Sequence, residues 1–459
     1  MAAGPGTPLG ILAGGGGVPI ELAANAVARG RRVHILAIVG EARQAEIAAF
    51  PHTWVRWGAI GHILRTLRDQ GCRELVIVGS VRRPDLGKLR PDLGFVLSLP
   101  VLVRLLFGGD DSVLTRVVRF FEGKGFVVRG VHEIAPDLLV AAGPRGTHRP
   151  RTGDLADMRK GFGVVGALGT LDVGQAAVVA HGRVVAIEGA EGTDRMLERA
   201  RLVLAQAQGQ DPRPEASGVL VKRPKPGQEL RVDMPAIGPR TVALAGAAGL
   251  AGIAVEAGKV LMAERDTTVA AAEDLGLFVS GVAHEGADAA EPCAARDEPR
   301  ALDDLSVLTR RRLGKGAMRD VRMGLETVRR LQPFGTGRAA VVMREYVVAV
   351  EAAEGTRALL ERCTTLRQWG RMAAGRRLGV LVVASDRGGG IAPPQSADEV
   401  VDMARQVGLA GVVWTPAAAD LAPAAIERAR AAGMFLAIAS AAAPCATTHG
   451  AGGSEPDTC

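Results

Sequence analysis

The chain has 459 residues, more than one ordinary domain, so two or three domains are expected. Hydrophobic residues make up 47% but aromatic residues only 3%, so the cores must be aliphatic. The net charge of +7 is spread along the chain, and without a clustered basic face it does not indicate nucleic-acid binding. Five scattered cysteines without a CxxC pair argue against a zinc ribbon or a disulfide framework and favour a reducing cytoplasm.

The apolar segments do not predict membrane insertion. Residues 1–10 lack the charged and apolar regions of a signal peptide. The most apolar long window, residues 95–107, contains Pro100 and Arg104 and is too short to span a bilayer. We expect a soluble, cytoplasmic protein that is at most peripheral to a membrane, where its basic surface suits anionic lipid.

The first 140 residues alternate between predicted strands and helices. A strand at 9–13 runs into Gly14, Gly15, Gly16 and Gly17, and a helix follows at 18–29. This alternation predicts an α/β fold with a Rossmann-like parallel sheet. Further strands are predicted at 33–39, 75–78 and 126–130, and helices at 60–70 and 113–122.

Composition shifts divide the rest of the chain. Residues 141–153, rich in Gly, Pro and Arg, are predicted to hold neither strand nor helix and to mark a domain boundary. The predicted order after domain 1–140 is a second α/β domain at 154–283, a linker at 284–300, a third domain at 301–440 and a disordered tail at 441–459.

The third domain repeats the second. Residues 174–199 and 337–362 are identical at 16 of 26 positions, and the GLAG sequence at 249–252 recurs at 408–411. Glu188, Glu191, Gly192 and Thr193 persist in the copy. Other polar residues do not persist: Gln175, Asp172, Asp194 and Asp233 fall on Arg338, Gly335, Arg357 and Ala392. We therefore interpret the third domain as a degenerate, non-catalytic copy.

Two segments of the first domain are candidate phosphate sites. The four glycines can bring backbone N–H groups to a phosphate at a helix N-terminus, although a bare tight turn is also consistent. The dinucleotide-binding pattern is incomplete, because Pro19 stands where its third glycine belongs. After the strand at 75–78, Arg82 or Arg83 could hold a pyrophosphate, or the loop could simply be solvated.

Acidic and basic residues suggest metal and diphosphate chemistry. Asp110 and Asp111 precede a predicted helix and could hold Mg²⁺ or serve as its N-cap. Lys222 and Lys225, in a proline-stiffened strand, could face a diphosphate, while Asp233 could hold a metal or activate water. A solvated edge strand is the alternative, but the absence of matching residues from the copy favours a site.

These segments together resemble the LpxI-type UDP-2,3-diacylglucosamine pyrophosphatases of lipid A biosynthesis. The resemblance covers about 275 residues, and VDMPAIG and EGTD are its most specific segments. The matching stretches are LGILAGGGGVP, GSVRRPDL, GDDSVLTRV, LDVGQAAVV, AEGTDRML, VKRPKPGQELRVDMPAIG and the segment 249–261.

The resemblance implies hydrolysis of UDP-2,3-diacylglucosamine to UMP and 2,3-diacylglucosamine 1-phosphate (lipid X), with Mg²⁺ or Mn²⁺ required. It places the essential aspartate on Asp233. We assign Asp233 and Asp110 to the metal, and Lys222 and Lys225 to the stabilisation of developing charge. Spacing alone leaves the carboxylate that completes the metal site open among Asp110, Asp111, Asp172 and Asp194. The expected substrate contacts are Gly14, Gly15, Gly16, Gly17, Ser80, Val81, Arg83, Asp111, Gln175, Glu191, Gly192, Thr193 and Asp194.

The chain departs from the family pattern at three polar positions. The family usually has Asn at Ser80 and Lys at His62 and Gly108. A non-catalytic regulator that binds the same sugar nucleotide is therefore an alternative hypothesis, and an NAD-dependent oxidoreductase is a more distant one. The expected partners are the lipid substrate and the cytoplasmic face of the inner membrane, without nucleic acid, and a homodimer is allowed. Acyl-chain preference and the role of the third domain are not predicted.

Overall fold

The computed structural model describes residues 7–56, 58–80, 110–208, 217–283, 305–368, 377–384, 396–415 and 421–439. The predicted linker 284–300 and tail 441–459 lie outside these ranges. Within them, no helix is both long and apolar enough to cross a membrane.

The N-terminal region is built around a parallel sheet. Its elements are β1 (Leu9–Ala13), α1 (Val18–Ala28), β2 (Val33–Ile38), α2 (Gln44–Ile47), β3 (His52–Val55), α3 (Ile60–Asp69), β4 (Glu74–Val78), α4 (Asp110–Glu122), β5 (Val127–Arg129) and α5 (Val131–Ile134). The strand order is β3-β2-β1-β4-β5, and all neighbouring strands are parallel. β1 and β2 are buried at every residue, as expected of strands covered on both faces. The predicted parallel sheet is confirmed.

One strand of this sheet was missed, and one helix begins earlier than predicted. β3 is a four-residue edge strand whose first three residues are only half-buried, so its sequence carries no clear alternation. The predicted third strand is consequently the fourth, β4. α4 begins at Asp110 rather than residue 113.

The second domain contains a mixed sheet. Its elements are β6 (Gly143–Arg145), α6 (Thr152–Gly169), β7 (Ala176–Ala180), β8 (Arg183–Ile187), α7 (Thr193–Gln208), β9 (Val219–Lys222), β10 (Ala236–Ile237), α8 (Pro239–Ala247), β11 (Gly252–Glu256), β12 (Leu261–Met262), α9 (Arg265–Asp274) and β13 (Phe278–Val282). The six main strands have the order β6-β13-β11-β9-β7-β8, in which β9, β11 and β13 are parallel. β10 and β12 form a separate pair.

The prediction that residues 141–153 hold neither strand nor helix was wrong. β6 lies in this segment and pairs antiparallel with β13, and α6 starts at Thr152. Pro144 is tolerated because β6 lies at the edge of the sheet, where a strand can lack an N–H donor.

The third domain has the same topology. Its elements are β14 (Leu305–Val307), α10 (Lys315–Leu331), β15 (Ala339–Met343), β16 (Tyr346–Val350), α11 (Gly355–Gln368), β17 (Val380–Ala384), α12 (Ala397–Val407), β18 (Gly411–Thr415), α13 (Pro423–Ala431) and β19 (Phe435–Ala439). The strand order β14-β19-β18-β17-β15-β16 matches the second sheet strand for strand. The predicted duplication is confirmed in the fold, and we call this domain the repeat.

The second domain and the repeat share a buried hydrophobic cluster. Val164, Leu168 and Ile187 of the second domain lie in one buried cluster with Leu331 and Val347 of the repeat. The backbone is joined as well. The N–H of Ala190 donates to the Val348 carbonyl (2.9 Å), and the N–H of Ala353 donates to the Val185 carbonyl (3.4 Å). Ala353 and Val348 lie 163 positions after Ala190 and Val185, so exchanging the two copies turns one of these bonds into the other. The two copies therefore meet about a pseudo-twofold axis.

Candidate functional site

The carboxyl edge of the N-terminal sheet faces the second domain. Arg43, which follows β2, donates to Oε1 of Glu264 at 2.8 Å, and Gly17, after β1, lies against the same glutamate. Val232 packs on the core on one face of the sheet, whereas Met234 packs on the core on the other face. The segment 231–236 therefore runs along this edge, where open parallel sheets bind ligands.

The glycine loop has two parts. The N–H of Gly14 donates to the Val78 carbonyl (2.9 Å), and that of Gly15 donates to the Ser80 carbonyl (2.7 Å), so both extend the sheet. Gly16 is exposed with a φ of +90°, and Gly17 immediately precedes α1. Within the described residues no hydrogen bond occupies the N–H of Gly16 or Gly17. The donors suited to an anion are therefore at Gly16 and Gly17 rather than along all four glycines.

Several predicted site residues lie outside the ranges that the structure describes. Val81 and Arg83 lie in the range 81–109. The backbone of Asp110 and Asp111 forms the start of α4, but their side chains are outside the described part. The predicted substrate and metal contacts of these residues stay predictions.

Asp233 is held in place by a buried glutamine. Gln228 Nε2 donates to Oδ2 of Asp233 at 2.6 Å and lies 3.4 Å from Oε1 of Gln175. The Gln228 side chain also accepts a hydrogen bond from the N–H of Lys225 at 2.8 Å. Gln228 thus links Asp233, Gln175 and the lysine segment. Sequence reasoning did not single it out, although it lies in the matching stretch VKRPKPGQELRVDMPAIG, just after the Pro226-Gly227 turn.

Lys222 ends β9 as a buried cation. Its Nζ donates to Oγ1 of Thr193 at 3.0 Å, and it faces the buried carboxyl group of Glu188. Burial raises the pKa of Glu188, and the ammonium of Lys222 opposes that rise. The Thr193 hydroxyl also hydrogen-bonds to Glu188. The predicted residues Lys222 and Thr193 are therefore brought together, with Glu188 behind them.

The other predicted carboxylates have cationic partners of their own. Asp172 forms an ion pair with Lys225, and Asp194 accepts a hydrogen bond from Arg240 Nε at 2.6 Å. In the described ranges no three His, Cys, Asp or Glu side chains cluster as a ready-made metal site. Mg²⁺ commonly uses only one or two carboxylates together with substrate phosphates and water. The carboxylate of Asp233 and the amide oxygen of Gln175, which both contact Nε2 of Gln228, fit such a donor set.

Glu191 faces the repeat. Its buried carboxylate accepts hydrogen bonds from Arg199 of its own domain and Arg362 of the repeat. Burial acts to raise its pKa, but the guanidinium groups of Arg362 and Arg199 outweigh burial and hold the pKa of Glu191 below its ordinary value. Gly192 and Thr193 follow it in the chain, and the Thr193 hydroxyl accepts the hydrogen bond from Lys222.

Comparison with known proteins identifies the family. The model described as the LpxI N-terminal domain matches residues 8–138, and the LpxI C-terminal domain matches twice, at 141–280 and 304–436. The chain belongs to the LpxI family. A relative from Caulobacter vibrioides named UDP-2,3-diacylglucosamine pyrophosphatase LpxI is 42% identical over 274 residues, which cover 60% of this chain and 97% of the relative.

The second LpxI C-terminal domain carries an altered site. Ala339 lies opposite Val383 in the repeat, as Ala176 lies opposite Lys222, so a valine replaces the lysine. Glu351, the counterpart of Glu188, keeps its threonine partner, with the hydroxyl of Thr356 donating at 2.7 Å. Its cation is instead Arg338, whose Nε lies 3.6 Å from Oε1 of Glu351. The repeat has therefore kept a buried carboxylate and its charge balance without the lysine.

Proposed function

We propose that this chain hydrolyses UDP-2,3-diacylglucosamine to UMP and 2,3-diacylglucosamine 1-phosphate in lipid A biosynthesis. The observation that carries the proposal is Asp233, fixed by Gln228 at the carboxyl edge of the N-terminal sheet. Membership of the LpxI family and the name of the Caulobacter relative supply the substrate.

The residues support a phosphoryl-transfer reaction to water. Water adds to the α-phosphorus, the bond from that phosphorus to the bridging oxygen breaks, and the sugar 1-phosphate leaves with that oxygen. Asp233 takes the proton from the water or holds the metal, and Gln228 orients its carboxylate. Lys222 and Lys225 stabilise the charge that develops on the phosphoryl oxygens. Gly16 and Gly17 offer backbone N–H groups to a phosphate of the substrate.

The proposed cofactor is Mg²⁺ or Mn²⁺. Asp233 would hold it, with Asp110 as a second ligand. When bound, the metal supplies neutralisation of the diphosphate and lowers the pKa of a coordinated water.

The proposed location is the cytoplasmic face of the inner membrane. The substrate carries two acyl chains, and the net charge of +7 favours contact with anionic lipid. This peripheral association would bring the enzyme to its substrate.

The test is release of UMP from UDP-2,3-diacylglucosamine. We expect release with Mg²⁺ or Mn²⁺, none after EDTA treatment, and recovery when the metal returns. Full activity after exhaustive chelation would contradict the metal requirement, and no UMP under any metal would contradict the function itself. Calorimetry with NAD and NADP is the control for the oxidoreductase hypothesis, and we expect no binding.

A further inference from the structure

A cluster of four charged residues lies on the pseudo-twofold axis. Glu191 and Arg199 come from the second domain, and Glu354 and Arg362 occupy the same positions in the repeat. The side chains of Glu191 and Glu354 are 1% and 3% exposed, so both carboxylates require compensating cations. The cluster is neutral.

Each arginine serves both copies. Arg199 donates to Glu191 at 2.7 Å and to Glu354 at 3.1 Å, while Arg362 contacts Glu191 and lies 3.2 Å from Glu354. Arg199 also donates to the Ile187 carbonyl (2.8 Å), as Arg362 does to the Val350 carbonyl (2.9 Å). The carboxylate of Glu191 is therefore completed by a group from outside its own domain.

The cluster is linked to Lys222 through Gly192 and Thr193. Gly192, the next residue, adopts a φ of +82°, and its N–H donates to the Gly189 carbonyl at 3.2 Å. Thr193 then accepts the hydrogen bond from Lys222. Only Gly192 separates Glu191 from Thr193, whose hydroxyl accepts the hydrogen bond from Lys222. The repeat also contacts the residue just before this turn, because the N–H of Ala190 donates to the Val348 carbonyl.

We propose that Arg362 of the repeat is a positioning residue for hydrolysis, because by holding Glu191 it fixes the turn that orients Lys222. The inference rests on the proposed function. It gives the repeat a role that requires no counterpart of Asp233 or Lys222 in the repeat itself, namely to complete a site in the neighbouring domain.

The test is Arg362→Met in the full-length chain. Because small misplacements of catalytic groups are costly, we expect kcat per folded molecule to fall about tenfold while KM changes much less. Hydrogen–deuterium exchange at the amides of residues 190–196 should become faster. Arg362→Lys retains a cation for Glu191 and should recover most of the rate.

The pseudo-twofold axis provides a matched control. Thr356→Val alters the repeat's own turn at the position that corresponds to Thr193, where the hydroxyl donates to Glu351, and its kcat per folded molecule should equal that of the parent. Parent turnover and parent exchange in Arg362→Met would overturn the proposal, as would an equal loss of turnover in Thr356→Val.

Two further outcomes are also decisive. If Arg362→Met does not fold, Glu191→Gln is measured instead, and parent turnover with parent exchange there would overturn the proposal. If the parent chain releases no UMP, the proposed function is wrong, while the exchange of residues 190–196 still decides whether Arg362 orders the turn.

Discussion

The second domain and the repeat have kept one architecture while diverging at one site. Asp157 accepts hydrogen bonds from the N–H groups of His181 and Gly182 in the β7–β8 turn, and Asp320 accepts one from Glu345 in the matching turn. Gly161 lies where a Cβ would come within 2.5 Å of Val221, and Gly324 where it would come within 2.4 Å of Val382. Contacts that the shared fold requires are therefore present in both copies.

The difference between the copies separates charge balance from chemistry. Glu188 and Glu351 are both buried, and each lies near a cation. That cation comes from β9 as Lys222 in one copy and from the segment before β15 as Arg338 in the other. The fold is therefore compatible with a cation at either of these two positions. Of the two, only the lysine adjoins Thr193 in the domain that contains Asp233.

Asp233 should show the largest effect. Asp233→Asn keeps the shape of the side chain and its place beside Gln228 but removes the proton acceptor. We expect turnover to fall by at least about a hundredfold. UMP release measures the rate, and circular dichroism should show an unchanged fold. Near-parent turnover would refute the assignment of the site to the second domain.

The substitution Lys222→Val gives the second domain the residue that the repeat has at this position. Turnover should fall about tenfold or more, because the cation near the phosphoryl oxygens is lost. The buried Glu188 also loses its cationic partner, and this should cost about 2 kcal/mol of unfolding free energy. Steady-state kinetics and denaturant unfolding measure the two effects.

A second substitution should separate these effects. Adding Gln175→Arg to Lys222→Val reproduces the cation of the repeat, so it should recover stability but not turnover. The matched control is Arg338→Gln, which should destabilise the chain with little change in rate per folded molecule. Recovery of turnover in the double variant would show that the identity of the cation is unimportant.

The smallest expected effect is a pH dependence. The pKa of Glu191 is lowered, so its contribution to stability is present at neutral pH and is lost as pH falls through that lowered value. Glu191→Gln should cost about 1 kcal/mol near pH 7 and less in acid.

Glu351 should behave in the opposite way. Burial raises its pKa, so its contribution is present in acid and is lost as pH rises through the raised value. Melting temperatures of Glu191→Gln and Glu351→Gln against the parent, from pH 3 to 7, measure both trends. Parallel trends for the two variants would contradict the assigned pKa directions.

Much of this architecture was predictable from sequence patterns. The continuous apolar runs of β1 and β2 and the glycines between strand and helix indicated a parallel sheet. Self-comparison revealed the repeat, and the lysine and VDMP segments identified Lys222, Lys225 and Asp233. Their roles remain predictions, whereas their proximity to Thr193, Asp172 and Gln228 is observed.

The remaining features depend on tertiary contacts. β6 contains a proline and becomes a strand only because it adds to the edge of β13. Gln228 is an ordinary polar residue until the chain folds it against Asp233. The persistence of Glu191 as Glu354 was visible in the sequence, but its cause was not. Each glutamate accepts from an arginine of the opposite copy, and periodicity cannot show such a pairing.

The contact between the second domain and the repeat should not depend on protein concentration. Two copies on separate chains would associate according to protein concentration, but here a connection of residues 284–304 joins them. Because the two copies are covalently joined, their effective concentration does not depend on the concentration of the enzyme. Specific activity should therefore stay constant at nanomolar enzyme, where a comparable two-chain pair would dissociate.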